Sequence, residues 1–223
     1  MWIFLATIGI FAEGFVRESL IVPGDAATTA NNIMANELLF RIGFVSDLIH
    51  ETLFLLLAWT FYVLLKPVNK NHALLMVLFA IVSVSIQSIN LLIQFSAVEL
   101  LSGASYLTDF PPDQLHAQVM FFLNLQNHGI VIAQIFSGLW ALPLGFLVYK
   151  SGFLPKIFGV LLMIGAFGWQ IDFFQYFLFP DYRSIISLVV LAPAVIGIFS
   201  LSLWLLFKGV DVEQWEKRAL ESA

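Results

Sequence analysis

A chain of 223 residues with 60% hydrophobic and only 11% charged residues carries more apolar surface than a soluble core of that size can absorb, so its solvent is a lipid bilayer. The absence of cysteine excludes disulfides, thiol nucleophiles, Cys-ligated zinc and iron–sulfur clusters. A formal charge of −5 argues against nucleic acid as a partner.

A helix rises ~1.5 Å per residue, so crossing roughly 30 Å of hydrocarbon takes about 20 mostly apolar residues. Long uncharged segments satisfy their backbone in lipid as helices, and these lack the alternating polarity of barrel strands. The expected fold class is all-α: one integral membrane domain over residues 1–223, a polytopic bundle of six transmembrane helices plus a short interfacial helix on the outer side.

In chain order, residues 1–16 lack the basic n-region and Ala-x-Ala cleavage pattern of a signal peptide, so 2–16 reads as a retained first helix with Glu13 near its end. Pro23-Gly24 then turns the chain. Asp25 is placed to cap a short helix over 26–36, with Ala30, Ile33 and Met34 on its apolar face. The second span covers about 38–65 and ends at the loop Lys66-Pro67-Val68-Asn69-Lys70; the third covers 73–98. After Pro111-Pro112, Asp113 is the expected cap of a long fourth helix over 113–149, too long for the bilayer. Spans at 155–179 and 184–207 follow, then a charged tail, 208–223.

Seven of the ten basic residues, Lys66, Lys70, Lys150, Lys156, Lys208, Lys217 and Arg218, fall in the loops after the second and fourth helices and in the tail. Arg17, Arg41 and Arg183 fall on the opposite side, as do Glu13, Glu18, Asp25, Glu37, Glu99, Asp109, Asp113 and Asp181. By the positive-inside rule the first group is cytoplasmic, and both termini with it.

Ionisable and amide side chains at membrane depth are costly and mark either function or interhelical hydrogen bonding. Counted at ~1.5 Å per residue from the cytoplasmic lysines, Asp47, His50, Glu51, Gln87, Gln134, Gln170 and Asp172 all lie about 21–28 Å up their helices. Asp47, His50 and Glu51 share one face by the i, i+3, i+4 rule. Ser83, Gln87, Asn90 and Gln94 form a stripe on the third helix, and Asn124, Asn127, His128 and Gln134 one on the fourth. The fifth adds Gly165, Gly168, Asp172 and Gln175, its small residues allowing a neighbour to approach closely. The expectation is an outer-leaflet pocket lined by Asp47, His50, Glu51, His128 and Asp172. Gln87, Asn90, Gln94 and Gln134 serve equally well as structural hydrogen-bonding groups. Two carboxylates and an imidazole on successive turns need a partner, and Arg41 can neutralise only one of them.

His50-Glu51 opens an H-E-x-x-H pattern, but position 54 is Phe and the zinc-protease reading fails. No phosphate-binding loop, dinucleotide loop or serine elbow occurs. Three chemistries remain for the pocket. The first is binding or transport of a small polar or cationic solute, drawn by an anionic vestibule. The second is a metal-dependent membrane enzyme acting on a lipid-like substrate, with Asp47, His50, Glu51 and His128 as ligands. The third is an electron-transfer subunit with haem held between His50 and His128.

The strings Ile21-Val22-Pro23-Gly24-Asp25-Ala26-Ala27 and Leu65-Lys66-Pro67-Val68-Asn69-Lys70 resemble a bacterial membrane family, domain of unknown function 4386. Gly138-Leu139-Trp140, Leu142-Pro143-Leu144-Gly145 and Val148-Tyr149-Lys150-Ser151-Gly152-Phe153-Leu154-Pro155 are similar to it too. The resemblance covers nearly the whole chain and implies a multi-pass protein of a bacterial cell membrane. It carries over no activity and no catalytic residue.

Overall fold

The computed structural model of the chain describes residues 1–180 and 183–221, so Asp181 lies outside the described residues. Those residues form helices and connecting turns, with no strand among them. The helices are α1 (Trp2–Ile10), α2 (Glu18–Leu20), α3 (Ala26–Ala35), α4 (Glu37–Leu65), α5 (Lys70–Leu100), α6 (Pro112–Ser151), α7 (Lys156–Leu178), α8 (Arg183–Phe207) and α9 (Val212–Glu221). A π-helical segment, Phe11–Arg17, joins α1 to α2, so residues 2–20 wind without interruption.

Among the described residues five helices are long and apolar enough to cross a membrane: α4, α5, α6, α7 and the Val189–Phe207 part of α8. The expected first span differs from them, because the wide π turn divides it into short pieces.

Local chemistry accounts for the ends. Asp25 caps α3 by accepting from the Thr28 amide at 2.9 Å and the Thr28 hydroxyl at 2.7 Å, and these bonds hold its carboxyl below the usual carboxylate range. Ala30 and Ile33 of the apolar face of α3 are buried together with Thr29, which hydrogen-bonds the backbone of Val22, and Met34 is exposed. α5 starts at Lys70, three residues before the expected start, because the Asn69 side chain accepts the His72 amide at 3.0 Å. At α6 the cap is not Asp113. Pro112 occupies the first helical position, the Pro111 carbonyl takes the amides of Gln114 and Leu115, and Asp113 sits inside the first turn. The tail expected to be merely charged forms α9. Asp211 caps it through the Gln214 amide, and the Trp215 indole donates to the Leu64 carbonyl at 2.9 Å.

The chain divides into two compact units. One comprises residues 4–53 and 85–130. Its core holds Val16, Leu20, Ile33, Phe40, Ala97, Val98, Val119 and Leu123, all buried. Val16 packs where Gly43 leaves room; a Cβ there would lie 2.8 Å from Val16 Cγ1. The other unit comprises residues 1–3, 54–84 and 131–223. Trp2 stacks on Trp140, with Phe54 and Phe61 edge-on to it. Ser83 and Ser137 share a 2.7 Å hydrogen bond, and Gly145 faces Gly159 across α6 and α7. Gly165 and Gly168 of α7 lie against Ala194 and Val190 of α8.

Candidate functional site

The site lies within the unit made of residues 4–53 and 85–130 and begins with the polar face of α4. Asp47, His50 and Glu51 fall within two turns on one side of that helix. His50 Nδ1 lies 3.3 Å from Glu51 Oε1. The other edge of the imidazole rests against Gly9 of α1, where a Cβ would make ordinary contact at 3.6–3.7 Å. Glu51 is 9% exposed.

The second wall is the π-helical segment. Arg17, at its end, is 8% exposed; one guanidinium nitrogen pairs with Glu13 one turn back and another lies 3.3 Å from Asp47 Oδ2. An internal salt bridge to Arg41 could have neutralised one of the α4 carboxylates. Arg41 lies elsewhere, bonding Glu37 at 2.7 Å with its guanidinium over the Phe95 ring, because Glu37 is one turn away on its own helix face whereas Asp47 is six residues on and points aside.

The third wall is an amide chain. Asn90 of α5 donates to the Gln126 backbone carbonyl at 2.8 Å, and the Gln126 side chain reaches Gln94 Oε1 at 3.5 Å. Asn90 Oδ1 rests against Gly129, where a Cβ would force the Asn90 amide to move. Together these walls enclose a recess of about 200 Å³ lined by Gly9, Glu13, Arg17, Asp47, His50, Glu51, Gln87, Asn90, Leu91, Gln126 and Ile130.

Of the residues singled out in the sequence, Asp47, His50, Glu51, Gln87 and Asn90 line this recess. Asn124, Asn127 and His128 lie on the exposed side of α6. Their place is taken by Gln126, 1% exposed, which falls in phase with Val119, Leu123 and Ile130. Gln134 and Asp172 belong to the other unit. There Gln134 is half-buried, and Asp172 accepts a hydrogen bond from Ser187.

The profile of a family described as a domain of unknown function (DUF4386) matches residues 1–209. The chain belongs to the DUF4386 family. A relative in Archaeoglobus fulgidus, described as an uncharacterized protein, is 32% identical over 148 residues, which is 66% of this chain and 72% of the relative. No solved structure matches the chain.

For this DUF4386 member the recess is completed by side chains that the sequence pattern left unassigned: Glu13 and Arg17, which alter its charge balance, and the neutral amide Gln126. The i, i+4 spacing of Glu13 and Arg17 was the available signal for the first two, and the apolar period through Gln126 for the third. The fixed charges are three carboxylates and one guanidinium. Among the described residues no group of three or more His, Asp and Glu side chains is disposed to hold a metal ion. The set Asp47, His50, Glu51 and His128 is therefore not assembled, since His128 lies outside the recess. At about 200 Å³ the recess is smaller than the roughly 300–1,000 Å³ of pockets for drug-sized ligands.

Proposed function

We propose that this membrane protein binds a small organic cation in the recess and passes it across the bilayer. The observation that carries the reading is the lining itself: the buried Asp47 and Glu51, with the more exposed Glu13, outnumber the single fixed cation, Arg17. A low-dielectric cleft of one charge sign concentrates the opposite charge. The volume sets the size of the ligand. At ~30 Å³ per water, 200 Å³ corresponds to about seven waters, enough for a short alkylammonium.

The purified protein in detergent should melt at a higher temperature with butylammonium chloride than with sodium chloride of equal ionic strength, while butan-1-ol gives no such rise. Glu51→Gln removes a buried charge of the lining, and the butylammonium shift should disappear with it. A shift of equal size in wild type and Glu51→Gln would refute the assignment.

Residues 2–20 wind continuously and at ~1.5 Å per residue, less through the π-helical turn, reach at most about 28 Å, near the roughly 30 Å of a hydrocarbon layer. This supports a sixth crossing. With the seven-to-three bias of basic residues it favours a cell membrane protein with both termini in the cytoplasm. Reporter fusions after Lys70 and after Lys156 should both read cytoplasmic; a periplasmic reading at either overturns this topology.

A further inference from the structure

The geometry points to Arg17 as a tethered cation that fills one of two cation positions in the recess and so sets its preference for monocations. This inference rests on the cation-binding reading and names the residue that selects within it. Asp47 and Glu51 lie one turn apart on α4 with their side chains mostly buried, 14% and 12% exposed. Carboxylates at this spacing have Cβ atoms about 6 Å apart, a separation that two positive charges on one short ligand can match.

In the protein the Asp47 position is taken. The Arg17 guanidinium enters from the π-helical segment, its side chain 10% exposed, and lies between Asp47 and Glu13. Glu13 is 56% exposed and screened by solvent, so it adds little to the charge inside. The buried balance is then two carboxylates against one guanidinium, which leaves one negative charge at Glu51 for a ligand. A dication would bring its second charge against Arg17.

Two further features mark the recess as a place for a ligand and not a closed ion pair. Arg17 Nε is buried without a hydrogen-bond partner. Gln126, 1% exposed and part of the lining, leaves its Oε1 without a partner as well. A satisfied structural network would leave neither.

Butylammonium and butane-1,4-diammonium are matched in length and differ by one charge. Their affinities for the full-length protein in detergent, measured by calorimetry at equal ionic strength, test the inference. The wild type should bind butylammonium more tightly than the diammonium. Arg17→Gln should reverse the order, tightening the diammonium by about tenfold or more. Arg17→Lys, which keeps the charge, should restore the wild-type order. A wild type that prefers the diammonium overturns the inference whether or not Arg17→Gln can be purified. An Arg17→Gln protein that binds butylammonium yet gains nothing for the diammonium overturns it too, and leaves the cation-binding reading intact. Binding of neither ion to wild type or variant sinks both.

Discussion

Asp47→Ala is expected to destabilise the protein by about 3 kcal/mol, the lower end of the cost of removing one partner from a buried ion pair. Arg17 has little else to rely on. Its Nε is unpartnered, its side chain is nine-tenths buried, and its other carboxylate, Glu13, is mostly exposed. Removing Asp47 leaves a guanidinium in a low-dielectric recess held by a screened charge, whereas removing both charged groups avoids that state. An Arg17→Met/Asp47→Leu double variant should therefore recover most of the loss, because apolar replacement of a whole buried pair is often near neutral. Denaturation in detergent followed by tryptophan fluorescence gives the three values. A loss below about 0.5 kcal/mol for Asp47→Ala, the range of ordinary surface substitutions, would show that Arg17 does not depend on this contact.

Gly168→Ala is expected to cost at least about 1–3 kcal/mol, the usual range for overpacking. The added Cβ would overlap the Val190 carbonyl oxygen and lie 2.8 Å from the carbonyl carbon. These are backbone atoms of α8 and cannot rotate away as a side-chain tip can. α7 and α8 would have to separate, and the neighbouring contact of Gly165 with Ala194 would open with them. Gly14 provides the comparison, since a Cβ built there meets nothing within 4 Å. Thermal melts of Gly168→Ala and Gly14→Ala should differ clearly, with Gly14→Ala close to wild type. Equal melting temperatures would show that the α7–α8 approach is looser than described.

The recess connects these energetic arguments to function. A network that leaves a buried guanidinium nitrogen and a buried amide oxygen unpartnered is poorly explained as structural adhesive. Asn90, Gln94 and Ser83 do read as adhesive, each bonded across to α6. The polar residues of the third-helix stripe therefore divide by role. Ser83 and Gln94 join helices, Asn90 bonds across to α6 and also lines the recess, and Gln87 lines it.

The helical membrane class followed from composition and uncharged length, and the ends of α4, α7 and α8 fall within a residue of where charge and proline place them. These are local properties. The shared face of Asp47, His50 and Glu51 is local too, since it needs only a 3.6-residue period along one helix. Which charges meet was decided by the tertiary structure. Arg17 reaches Asp47 because the π turn over Phe11–Arg17 departs from the α-helical period by which a face is read, and because Gly43 lets Val16 come close to α4. Gln126, and not His128, lines the recess because the rotation of α6 is set by burial of Val119 and Leu123, whose apolar contacts outweigh the phase of the polar stripe. A period within one helix specifies a face; the partner of that face depends on packing between helices distant in the chain.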